Sequence, residues 1–260
     1  MEYEDLRLEG RGGVAVVTLD APQKMNALTP GMRRSLLRLR DDLGRDDGVR
    51  VVVVTGAGRG FCSGADLSAS RERPGRYERL QLLGPDFGSE VFFTLDKPVI
   101  AAVNGPAVGA GFSLALSCDI RLASEAARFG AVFVLRALTP DCGITYWLPR
   151  MVGMSRAMEL MLTGRIIDAA EALRLGLVSR VLPPDELMPA ALELAERIAA
   201  QPPVSVELSK RMVYRRIRGE VDRAVEIETY ANRVARSTED HAAAVRAFLE
   251  KRPPPRFTGC

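Results

Sequence analysis

RVVVVTGAGRGFCSGADL, residues 50–67, is the stretch whose reading decides the fold class. Arg50 to Thr55 is an uninterrupted valine run, and such a run without polar alternation reads as a strand buried on both faces. Gly56 to Gly64 follows as a glycine-rich loop. Upstream, residues 13–20 (GVAVVTLD) read as another strand, then a loop carrying Pro22 and Asn26. Leu28 to Leu43 has helical periodicity, with Thr29 as N-cap and Pro30 at the first helical position. Downstream, residues 68–79 are charged, contain Pro74 and Gly75, and read as a mobile surface loop. Val99 to Val103 is a second buried strand, Asn104-Gly105-Pro106 a turn, and Gly109 opens a buried helix. A short strand falls at 120–123. Asp168 to Leu175 reads as a helix closed by Gly176, and Val178 to Leu182 as a strand.

Pro183-Pro184 marks a boundary after which strands stop. Helices are expected over Glu186–Ala200, Val204–Ile217, Val221–Ala235 and Glu239–Leu249. The reading is an α/β core over 1–183 and a helical region over 184–260.

The 260 residues carry 36 basic and 33 acidic side chains, a formal charge of +3, too small to point to nucleic acid or an anionic membrane as the main partner. With 47% hydrophobic and 27% charged residues, the composition argues against disorder and against a cysteine-stapled scaffold. Cys62, Cys118, Cys142 and Cys260 show no CxxC spacing and no clustered histidine, so no metal site is expected, and free thiols suit a reducing cytoplasm. The acidic start, Met-Glu-Tyr-Glu-Asp, has no apolar secretory segment. Pro98 to Cys118 is uncharged and about long enough to cross a bilayer. Asn104, Gly105, Pro106, Gly109 and Gly111 break it as a continuous helix, so no membrane span is expected. With His241 as the single histidine, a Ser-His-Asp or Cys-His mechanism would have to use that residue.

The first glycine-rich loop does not fit a nucleotide. A short-chain dehydrogenase pattern would need glycine where Cys62 stands, no Tyr-x-x-x-Lys occurs, and no Gly-Lys-Ser/Thr marks a phosphate loop. A second cluster, NGPAVGAGFS at 104–113, places small residues at the start of a buried helix, where a ligand can approach the backbone. The first amides of a helix lack internal partners and carry positive partial charge. One amide from each loop could hold an oxyanion.

Taken in order, these segments resemble the crotonase (enoyl-CoA hydratase/isomerase) superfamily. The match runs through Pro22–Leu28, Gly60–Leu67, Lys97–Gly111, Cys118–Ala123, Arg128–Gly130, Leu148–Gly153, Leu162–Gly164, Gly176–Val178 and Ala247–Arg252. The resemblance implies a spiral of ββα units with a helical C-terminal trimerisation region, assembled as a homotrimer or dimer of trimers. It also implies acyl-CoA thioester substrates, with coenzyme A entering as part of the substrate and no separate cofactor. The thioester oxygen would be held by the amides of Ala65 and Ala110, a kind of contact whose loss typically costs about 10²–10³ in rate.

Hydratases of the family use two glutamates; the matching positions here are Ser113 and Phe133. Phe133 cannot exchange a proton and Ser113 has no histidine nearby in sequence to activate it. Leu138-Thr139-Pro140-Asp141-Cys142-Gly143 reads as a helix start, with Thr139 capping and Asp141 in the first turn. An aspartate in the matching Pro-Asp-x-Gly is similar to members that isomerise ring-1,2-epoxyphenylacetyl-CoA, as is the ending from Phe248 to Gly259. The resemblance thus points to an isomerase, with fatty-acyl or phenylacetyl thioesters as its setting. Coenzyme A would lie against Lys24, Met25, Ala27 and the loop of Ser63, Asp66 and Leu67, with Phe248 and Lys251 reaching in. Asp66 reads as structural, and Tyr146 and Trp147 as acyl pocket or core. Residues 68–90 would cover the acyl group. Three other readings stay open: an enoyl-CoA hydratase, an RNA binder using the basic run Arg211–Arg218, and a catalytically silent scaffold.

Overall fold

The computed structural model describes residues 2–68 and 90–260. The expected surface loop at 68–79 and the acyl cover at 68–90 therefore lie outside the described residues, save for Ser68 and Glu90. The chain lays down β1 (Leu6–Arg11), β2 (Val14–Leu19), α1 (Pro30–Arg45), β3 (Val51–Gly56), α2 (Glu90–Phe93), β4 (Val99–Val103) and β5 (Pro106–Val108). Next come α3 (Ala110–Leu116), β6 (Ile120–Ser124), β7 (Arg128–Gly130) and a 3-10 turn (Val132–Arg136). They are followed by α4 (Ile144–Val152), α5 (Met154–Thr163), β8 (Ile166–Asp168), α6 (Ala169–Arg174) and β9 (Arg180–Leu182). Then α7 (Leu187–Ala199), α8 (Pro203–Arg236) and α9 (Glu239–Leu249) run to the C-terminal segment.

The main sheet has the order β1-β2-β3-β4-β6-β9, parallel except for the antiparallel edge strand β1. Strand alternation explains the valine run Val51–Val54 of β3. Val51 and Val53, with Ile100, Ala102 and Leu122, pack under Leu187, Ala191 and Ala195 of α7. Val52 and Val54, with Val99, Ala101 and Val103, face the other way into the larger core with Met32, Leu36 and Leu39 of α1. Full burial of each such side chain is worth roughly 1.5–3 kcal/mol. Thr29 caps α1, its hydroxyl accepting from Met32 N–H at 3.0 Å, with Pro30 behind it. A second sheet, β5-β7-β8, sets Ala107 beside Phe129 and Phe129 beside Ile167.

Packing does not part at residue 183, because α7 seals one face of the main sheet. Further on, the two helices expected over 204–217 and 221–235 are one, α8, which runs unbroken through Gly219. A mid-helix glycine costs about 1 kcal/mol, and buried side chains on both sides of it outweigh that. On one side Lys210 Nζ donates to the carbonyls of Phe92 and Lys97 at 2.9 Å each and pairs with Asp119 at 2.8 Å. On the other, Val221, Val225, Glu228 and Asn232 are buried.

None of the four cysteines is in a disulfide. Among the described residues no group of three side chains is placed to hold a metal ion, and no helix is long and apolar enough to cross a membrane.

Candidate active site

Both glycine-rich loops meet at one cavity of about 450 Å³. The first loop is strung between two backbone rails. Leu28 N–H donates to Gly64 O at 2.7 Å on one side, and Cys62 N–H donates to Pro106 O at 3.0 Å on the other. Asn26 pins its turn from beneath: the buried amide accepts from Ala21 N–H at 3.0 Å and donates to Ala57 O and Gly60 O at 2.9 and 2.8 Å. The rails press the loops together so closely that a Cβ on Gly111 would lie 2.2 Å from Cys62 O.

Gly64 sits at φ +92°, and a Cβ there would lie 3.3 Å from the amide nitrogen of Ala110. The loop's next amide, Ala65, and the first amide of α3, Ala110, are thus brought together, and both residues line the cavity. Among the described residues neither N–H is given to a backbone carbonyl. Two such donors aimed into one recess can stabilise a developing enolate oxygen without reorganising.

Asp141 lies in the same wall and is 6% exposed. Its local structure differs from the sequence reading. Thr139 and Pro140 do not start a helix: α4 begins at Ile144, because Cys142 and Gly143 take left-handed backbone angles of φ +61° and +80°. Asp141 precedes the helix rather than sitting in its first turn. The cap that Thr139 was expected to provide comes from far away in sequence. Glu228 of α8, buried, accepts from Gly143 N–H at 2.6 Å, from Thr145 N–H at 2.8 Å and from the Thr145 hydroxyl. Burial and the neighbouring Asp141 push the Glu228 carboxyl up to about 7, against the donors of Thr145 and Gly143. One turn on, Asn232 donates to Asp141 Oδ2, and Arg236 approaches the same oxygen at 3.9 Å. Glu228 and Asn232 escaped the sequence reading because their partners lie more than 80 residues away and nothing local marks them.

Ser113, fully buried, does not line the cavity; its hydroxyl donates to the main-chain carbonyl of Asp141 at 3.0 Å. Phe133, on the 3-10 turn, does line it. So do Lys24, Ala27, Ser63, Asp66, Leu67 and Phe248. Lys24 Nζ meets Asp66 at 2.8 Å. Burial raises the Asp66 carboxyl, but the bonds from Lys24 and Ser68 overcome that and hold it below the usual carboxylate range. Phe248 of α9 lies under the Arg136 guanidinium, 3.9 Å from ring centre.

Met25 and Lys251 are not in the cavity wall. Met25 supports the loop from behind, its carbonyl accepting from Ser63 N–H at 3.0 Å; Lys251 is exposed past the end of α9. Tyr146 and Trp147 are core, stacked edge-on at 4.9 Å and away from the cavity wall. His241 spends its ring Nδ1 on Arg136 O at 2.8 Å. In the basic run of α8, Arg211 is paired with Asp96 and Arg218 lies 4.0 Å from Asp222.

A family model described as enoyl-CoA hydratase/isomerase matches residues 9–259. The chain is 42% identical over 259 residues to the short-chain-enoyl-CoA hydratase of Clostridium acetobutylicum, covering 97% of both chains. It is 37% identical over 257 residues to the 1,2-epoxyphenylacetyl-CoA isomerase of Escherichia coli, covering 95% of both. A solved enoyl-CoA hydratase/isomerase from Pseudoalteromonas atlantica superposes with a TM-score of 0.87 at 33% identity, over 98% of this chain and all of that one. A monofunctional enoyl-CoA isomerase from M. smegmatis superposes at 0.69 with 41% identity, over 84% and 94%. With nearly its whole length matched in sequence and in fold, the chain belongs to the enoyl-CoA hydratase/isomerase family.

Proposed function

We propose that this enzyme is an enoyl-CoA isomerase, shifting a double bond or opening a ring epoxide, with Asp141 as the one proton carrier. The carrying observation is the pairing in one wall of a buried carboxylate with two uncommitted amides. In a 1,3-shift the thioester oxygen lies against the Ala65 and Ala110 N–H groups. The Asp141 carboxylate takes a proton from the α carbon, and the electron pair spreads over the dienolate onto that oxygen. Asp141 then returns the proton to the γ carbon, the electrons flow back, and the double bond has moved with no water added. At the positions matching the hydratase glutamates, Phe133 is inert and the Ser113 hydroxyl is turned onto the Asp141 backbone.

Lys24, Ala27, Ser63, Leu67 and Phe248 would receive the coenzyme A portion, Lys24 being held ready by Asp66. The enzyme would act in the cytoplasm on fatty-acyl or phenylacetyl thioesters. It would assemble as a trimer or paired trimers through exposed apolar side chains such as Met154, Leu162, Met212, Val213, Ile227 and Tyr230.

A hydratase is the second reading, favoured by the 42% identity to a protein of that name. Incubating the protein with a panel of enoyl-CoA thioesters in deuterated water, read by mass spectrometry, separates the two. Deuterium exchange with a shifted double bond supports isomerisation, whereas a gain of water supports hydration. Asp141→Asn should abolish exchange and still bind acyl-CoA; full turnover by that variant removes Asp141 as the base.

A further inference from the structure

We infer that Asn232, backed by Arg236, is the positioning residue that fixes the plane of the Asp141 carboxylate. The inference rests on the reading of Asp141 as the base. Asp141 belongs to a segment with two left-handed residues at its C-terminal side, so its own backbone leaves it without helical support. Among the described residues, three side chains replace that support. Ser113 of α3 holds the Asp141 carbonyl, Glu228 of α8 holds the amides of Gly143 and Thr145, and Asn232 of α8 holds the carboxylate itself.

Asn232 is 1% exposed and makes directional contacts on both of its amide ends. Its nitrogen reaches Asp141 Oδ2 and, at 3.4 Å, Thr139 O, which are both acceptors. Its oxygen accepts from Arg236 Nε at 3.1 Å, a group that can only donate. The orientation of the amide is therefore set by its partners, since a flipped amide would oppose like groups at either end. Glu228, Asn232 and Arg236 recur every four residues, so they share one stripe of α8 facing the Asp141 segment. Among the described residues, the charged or titratable groups near Asp141 include Glu228 and Arg236 on α8, Arg33 and Arg136 in the same cavity wall, and Cys142 next in the chain. From α3 comes the uncharged Ser113, and from α9 the apolar Phe248 and Leu249.

Proton transfer at carbon is sensitive to geometry, and misplacing a group by about 1 Å can cost on the order of 10²-fold. Asn232→Ala should lower kcat by about that factor while KM, and the affinity for an unreactive saturated acyl-CoA, stay near native. Asn232→Asp keeps the side chain's shape and still offers Arg236 an acceptor, but sets a second carboxylate against Asp141. Like charges at that spacing raise a carboxyl pKa, so the acid limb of the kcat profile should move up by about one pH unit or more. If Asn232→Ala fails to fold, Asn232→Asp carries the decision alone. A folded Asn232→Asp enzyme with native kcat and a native pH profile overturns the inference. If Asp141→Asn is inert but the Asn232 variants behave as native, the positioning role alone falls; if Asp141→Asn is fully active, the base reading falls and takes this inference with it.

Discussion

Gly64→Ala tests whether the Ala65 and Ala110 amides act together. Gly64 sits at φ +92°, and an added Cβ would lie 2.9 Å from Val108 O and 3.3 Å from Ala110 N. Two costs follow. A side chain in that backbone region costs about 1–2 kcal/mol. The contact with Val108 O is shorter than real Cβ contacts tolerate, so the Gly64 loop and the start of α3 must move apart. That removes or misaims one oxyanion donor, worth roughly 3–4 kcal/mol of barrier, or about 10²–10³ in kcat. Gly153→Ala supplies the control. Gly153 has φ +82° but nothing within 4 Å of an added Cβ. With ψ at 155° it lies in a region nearly reserved for glycine, so it should suffer backbone strain of its own, lose about 2–4 °C in melting temperature per kcal/mol, and keep its kcat. The assay is steady-state isomerisation of an enoyl-CoA by both variants, beside thermal melts. If Gly64→Ala turns over as fast as Gly153→Ala, the space between these loops is not where the thioester oxygen sits.

Other outcomes follow from buried polar groups. Glu228 has its carboxyl raised from 4.5 to about 7, so between those values the folded protein binds a proton that the unfolded chain has released. Stability should then fall as pH rises through that window, by about 3 kcal/mol in all, and level off above it. Glu228→Gln should flatten that slope in urea melts taken from pH 4.5 to 8.5, and an unchanged slope would refute the assignment. Asn26→Ala strands Ala21 N–H and Ala57 O, whereas Gly60 O keeps its bond from Asn104. A loss of about 2–6 kcal/mol is expected, at 1–3 per unpartnered group, and denaturant melts within experimental error of native would contradict it.

Legibility in the sequence follows the range of the forces involved. The valine run of β3 was readable because burial on both faces leaves no polar residue, and the α1 cap because Thr29 and Pro30 act on their own neighbours. By contrast β5, β7 and β8, at three residues each, are too short to show a period. β1 is an edge strand exposed beyond Leu6, so it has little apolar alternation to read. The two helices expected over 204–217 and 221–235 are one because packing bridges the gap between them, and Thr139-Pro140 suggested a helix start that the backbone of Cys142 and Gly143 forbids. Where the site is concerned, the two loops were local patterns, while the roles of Asp141, Lys24 and Phe248 came only from the resemblance to the family. The carboxylate and amide that brace Asp141 arrive from a distant helix whose sequence there looks like any amphipathic surface.

That helix has a consequence for how the family's chains can vary. Lys210 and Glu228 are eighteen positions apart on α8, and at 3.6 residues per turn this is five whole turns. One end is keyed into the carbonyls of Phe92 and Lys97, the other into the amides of Gly143 and Thr145 at the start of α4. Between these two keys, outward-facing residues that meet no neighbouring subunit can be exchanged, but the count cannot change. A single inserted or deleted residue would swing one key by about 100° away from its lock, so this interval should drift in composition while holding its length.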